Sequence, residues 1–249
     1  MSNFAEVDRE YRKAIAAPGR ELLAAFDAAR SVKHVDWGGV DITNAILLRV
    51  KAFSDSQQQI KAGLSKGVAS AAADIFVECV CFYLKIAVER QDLKLIVASE
   101  KAITTGRKAL RPDITVWREG SLIAAIECKT QLGWNRNGWR DDFNDREARL
   151  RLSFPGAKLF LLVLTGGNWP GFADDSRLGH QFFLLLRDKW YGEFDLPTDQ
   201  HLLFHSVEQL FLVLFSHAAN TPASPMHQTT SSPSPRIREA STHQGEIGI

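Results

Sequence analysis

Two short apolar runs joined by Glu119-Gly120-Ser121 constrain this chain more than any other feature. Residues 113–117 and 122–128 are rich in branched side chains. So short a connection makes antiparallel pairing the natural outcome. Charge is concentrated at one end of the hairpin: Pro112-Asp113 opens the first strand, and Glu127-Cys128-Lys129 closes the second, fourteen residues after the aspartate. Folding the strands together brings two acids and a lysine toward one another.

The rest of the pattern frames this hairpin. Helices are predicted over about 5–30, with Pro18-Gly19 as a breaking point, over 41–53 and the glutamine-rich piece after it, and over 68–89. A short strand at 93–98 precedes a polar connection. After the hairpin, a loop bearing tryptophan and arginine leads to a helix over 142–152 and a strongly apolar strand over 158–165. A helix between these strands permits a crossover and parallel pairing. Residues 182–186 form a further strand candidate, and 206–217 a closing helix. From about 219 the composition turns to Pro, Ser, Thr, His and Gln, the texture of a disordered tail. The expected organisation is an N-terminal helical region (1–67), a core with a C-terminal elaboration (68–218) and the tail (219–249).

Carboxylates a few ångströms apart in a cleft repel and are poorly solvated, and a hard cation resolves both problems. Asp113 and Glu127 are therefore candidate ligands for magnesium, and the Cys128 carbonyl lies where it can join them. Magnesium can polarise a phosphodiester and favour deprotonation of the attacking water. Strand alternation puts Lys129 on the face of Glu127, where its ammonium can stabilise charge on the phosphate. The same alternation turns the Cys128 thiol to the opposite face, as a packing group. Each residue also has a plainer reading: Pro-Asp as a turn, and Glu127 with Lys129 as an ordinary ion pair.

Pro112-Asp113 and Glu127-Cys128-Lys129 resemble the two halves of the motif of the PD-(D/E)xK nuclease superfamily. The resemblance covers roughly residues 68–165. It implies an α/β restriction endonuclease-like core: an initial helix, a central mixed four-stranded sheet and a crossover helix before strand four, here with an N-terminal helical extension. It also implies a magnesium-dependent deoxyribonuclease and a homodimer able to cut both strands. The family often supplies an acid from the initial helix, which maps onto Glu78, within the apolar run 75–82; Asp74, one turn earlier, competes for the place.

DNA contacts are expected around this centre. Gln131 shares the face of Glu127 and Lys129. The loop beyond it presents Trp134, Arg136, Trp139 and Arg140, which can stack on a base, wedge a duplex or grip phosphate, or, for the tryptophans, pack beneath the loop. Arg111, beside Pro112-Asp113, is a phosphate-contact candidate. Arg146, Arg149 and Arg151 lie on a helix of mixed charge that reads equally well as a solvated surface.

Bulk properties remove other classes. A formal charge of +1 means that any grip on DNA must be local. Three cysteines make no disulfide framework and suit a reducing compartment. No Cys/His spacing suggests zinc, and Gly166-Gly167 lacks the Lys-Ser/Thr pair of a nucleotide P-loop. No signal-like N-terminus or membrane span is read, so a cytoplasmic location is expected. The leading expectation is an endonuclease of restriction or defence. The alternatives are a repair exonuclease or structure-specific nuclease, a noncatalytic DNA-binding protein with a nuclease-like fold, or a structural domain whose acid–lysine pattern is accidental.

Overall fold

In a computed structural model of the chain, which describes residues 6, 8–104, 109–131, 138–166, 171–196 and 198–221, three helices precede the sheet. They are α1 (Arg9–Arg30), α2 (Asp41–Gly63) and α3 (Ala73–Arg90). The sheet then begins with β1 (Ile96–Ser99), β2 (Ile114–Arg118) and β3 (Ser121–Gln131). Helix α4 (Trp139–Ser153) separates β3 from β4 (Lys158–Thr165), and β5 (Phe182–Leu186) and α5 (Val207–Asn220) follow. Trp134, Arg136 and the tail from residue 222 lie outside the described residues.

The hairpin closes through Glu119 and Gly120, both at positive φ (48° and 82°). This is a tight turn whose twist matches that of the strands it joins. The strands stand in the order β1-β2-β3-β4-β5. The first three are antiparallel, and β3–β4 and β4–β5 are parallel, with α4 as the crossover that parallel pairing requires. The sheet therefore has five strands where four were expected: residues 182–186 extend it beyond β4.

Helices cover both faces of the sheet, which explains why β3, β4 and β5 are apolar on both sides. On one face, Ile126, Cys128, Phe160 and Leu162 share a core with α2, α3 and α5. On the other, Ala125, Leu159, Leu161 and Phe182 pack with Trp139, Phe143 and Leu150 of α4. Ile42, Ile46, Leu47 and Val50 of α2 belong to the first core, so α2 packs directly on the elements that carry the sheet. Helix α1 runs through Pro18 without a break and buries no residue. It is tied to α3 through the edge-to-face pair Phe26–Phe82 and a two-bond fork from Arg30 to Glu89, at 2.8 and 2.9 Å. No helix among the described residues is long and apolar enough to cross a membrane.

One buried charge binds the N-terminal helices to the end of the fold. Glu208 of α5 is fully buried. Its carboxylate accepts hydrogen bonds from the Ile42 and Thr43 amides at 2.6 and 3.2 Å and from the Thr43 hydroxyl at 2.5 Å. It thus caps the N-terminus of α2, where amides lack intrahelical partners and the helix dipole favours negative charge. Glu208→Ala leaves these donors buried and unpaired, at a cost of about 3 kcal/mol. Urea unfolding checks this: the midpoint should fall with little change in slope, and an unchanged midpoint would show that the cap is energetically idle.

Candidate active site

The site exists because β3 outruns its neighbour. Strand β2 begins at Ile114, opposite Ile126, while β3 continues to Gln131 alongside β4. Past Ile126, the β2-facing edge of β3 has no strand partner. Asp113 fills that gap: its Oδ2 accepts a hydrogen bond from the Cys128 amide at 2.7 Å. Its own carbonyl is held from β1, by the Glu100 amide and the Ser99 hydroxyl, each at 3.0 Å. In an extended strand the amide and carbonyl of one residue point to the same edge, so the Cys128 carbonyl turns toward this gap as well.

The expected cluster of Asp113, Glu127 and Lys129 forms. Lys129 Nζ lies 3.6 Å from Asp113 Oδ2 and 3.5 Å from Glu127 Oε2, so the two carboxylate oxygens are no further apart than about twice that distance. Their exposures differ: the Glu127 side chain is 5% exposed, Asp113 26% and Lys129 38%. Burial pushes the Glu127 carboxyl above its ordinary value, and repulsion from Asp113 adds to this; Arg146 and Lys129 oppose it without cancelling it. The raise is chiefly the cost of holding a charge away from water. Burial also pushes the Cys128 thiol well up, which suits packing and not nucleophilic chemistry.

Arg146 of α4 is the member the sequence did not single out. Its Nη2 donates to Glu127 Oε1. A readable signal existed: Trp139, Phe143 and Leu150 are the buried residues of α4, and Arg146 falls on their stripe, one turn after Phe143 and one before Leu150. Beneath α4 lies a cavity of about 360 Å³, bounded by Glu127, Lys129, Arg146 and Arg149, by Asp142 and Asp145, and by Trp139, Phe143 and Leu161.

Other expected positions fall elsewhere. Glu78 is not a buried carboxylate: it is exposed on α3, as is Asp74. Helix α3 packs on the sheet face opposite to that of Glu127 and Lys129. Among the described residues no three His, Cys, Asp or Glu side chains gather as a metal-binding group, so Glu78 does not join Asp113 and Glu127. Trp139 is 3% exposed and packs edge-to-face on Phe172 and Phe182 at 5.2 and 5.6 Å. It is a core residue and cannot stack on a base without unpacking α4. Arg140 is half exposed but engaged, with Asp175 at 3.2 Å and the Gly171 carbonyl at 3.2 Å. Asp175 is gripped chiefly by Arg177, which holds its carboxyl at about 2. Gln131 and Arg111 are exposed at the margin of the site.

No family model, characterised protein or solved structure matches the chain.

The strain at Glu127 has a measurable sign. A value raised above the ordinary 4.5 means that the native protein binds this proton more readily than the unfolded chain. Its favourable contribution is complete below that ordinary value and is lost as pH rises through the folded one. Glu127→Gln should therefore unfold at a higher temperature than the wild type at about pH 8, with the gap closing toward about pH 4. Parallel stability curves for the two proteins would show that the buried carboxylate carries no such cost.

Proposed function

We propose that the chain is a divalent-cation-dependent deoxyribonuclease built on a restriction endonuclease-like core. One observation carries this reading: two carboxylates of different strands converge on the ammonium of Lys129 at the open end of the sheet. The element order supports it, with α3, a β1–β2–β3 meander, the α4 crossover and parallel β4 in the succession the motif implies.

The donor set fits a hard cation. Asp113 and Glu127 offer carboxylate oxygens on either side of one ammonium, and the Cys128 carbonyl faces the same gap. Asp113, Glu127 and the Cys128 carbonyl are the residues that would hold magnesium. Bound there, the ion supplies Lewis acidity toward a phosphodiester oxygen and lowers the pKa of the attacking water. The remaining work belongs to side chains. The Cys128 amide fixes the Asp113 carboxylate, so that it needs no reorganisation when substrate arrives. Lys129 holds both acids together and places its ammonium where negative charge develops on the phosphate. Arg111 and Gln131, exposed at the rim, are available to a DNA backbone.

A second reading has its own observation. Glu127 is paired with both Arg146 and Lys129, and such a network can serve folding alone. The two readings diverge in a digest of circular and linear DNA with magnesium or with EDTA. The nuclease reading expects magnesium-dependent cleavage that falls about a thousandfold in Glu127→Ala and in Asp113→Asn, with DNA binding retained. Products from closed circles mark an endonuclease, and a requirement for ends marks an exonuclease. Cleavage undiminished in Glu127→Ala would remove these residues from the chemistry.

A further inference from the structure

The grip of Arg146 on Glu127 is incomplete in a way that suggests exchange. A guanidinium meets a carboxylate best with two parallel N–H donors. Here Nη2 alone reaches Glu127 Oε1. The Nε of the same side chain is buried with no hydrogen-bond partner, the one side-chain polar atom so placed among the described residues. The bond also occupies an oxygen of the more buried of the two acids that the proposed function assigns to the cation. Arg146 stands at the wall of the cavity beneath α4, so a released side chain has open space beside it.

We infer that Arg146 is a lock on Glu127: in the cation-free protein it neutralises this buried carboxylate, and a divalent cation is admitted only as the guanidinium lets go. This rests on the nuclease reading and adds to it a positioning residue outside the Asp113/Glu127/Lys129 motif. The physical reason for such a device is charge balance. Glu127 lies buried beside a second acid, and an ionised carboxylate there needs a cation at all times. Lys129 is shared between two acids, which leaves Glu127 to draw on a side chain from another element. Arg146 meets that need from α4 with a single, poorly matched bond. The contact supplies the charge through one donor, while Nε of the same guanidinium finds no acceptor. The surrendered donors, with the unpaired Nε among them, then face the cavity, where a phosphodiester would offer acceptors.

The test is the affinity for manganese ion alone, by calorimetry on the full chain without DNA. A side chain that merely supported the site would weaken binding when removed, whereas a lock should tighten it. Arg146→Gln, and Arg146→Met as a variant that keeps the apolar stem and packing, should bind Mn²⁺ on the order of tenfold more tightly than the wild type. Circular dichroism reports whether each is folded, and the folded one decides. If the wild type takes up Mn²⁺ and cuts DNA while neither variant binds the ion more tightly, the lock is overturned and the nuclease reading stands. If wild type and variants alike take up no Mn²⁺, both fall.

Discussion

The hydrogen bond from the Cys128 amide to the Asp113 carboxylate is the interaction on which the site depends. It replaces the ladder bond that β2 would have supplied had it been longer. An edge amide in this position must find an acceptor, and the acceptor is the side chain of the residue that opens β2. Strand pairing and site assembly are thereby the same event. Once β2 aligns with β3 through Ile114 and Ile126, Asp113 stands beside the Cys128 amide, and Lys129 meets both acids without a long loop to position it.

Helix α4 does for the second face what the hairpin does for the first. Its apolar stripe anchors it over β4 and β5 through Trp139, Phe143 and Leu150, and the same register carries Arg146 onto Glu127. A crossover helix that only connected β3 to β4 would need no charge on that stripe. Burial leaves the Glu127 carboxylate dependent on neighbours from other elements. The same burial strengthens any electrostatic interaction made there.

Much of this was legible from residue order. The hairpin, the crossover helix, β4 and β5 follow from short apolar runs, turn residues and intervening charge, because those signals are local. The Asp113–Glu127–Lys129 cluster was legible for the same reason: a tight turn makes distant residues neighbours. The exposure of Glu78 is hidden in the residue order, because its chain neighbours are apolar and the stripe it shares along the helix is not. Asp74, Glu78, Lys85 and Glu89 form the exposed stripe of α3, at steps of four and seven, and the apolar run around Glu78 lies on the other faces. For Trp139 the residue order leaves packing and base stacking both open, because a tryptophan after a loop reads alike whether it caps a core or faces solvent; its burial selects packing.

By itself, the sequence determined which segments are strands and helices, where the tight turn falls, and that one end of the hairpin concentrates opposite charges, since each depends on periodicity and turn chemistry within a few residues. Only the tertiary structure decided that Arg146 meets Glu127, that Glu208 caps α2 from α5, that α2 shares the principal core, and that Trp139 is internal. Those outcomes depend on how faces of separate elements are brought together. Packing against the sheet sets that arrangement, and the order of residues along any one element does not contain it.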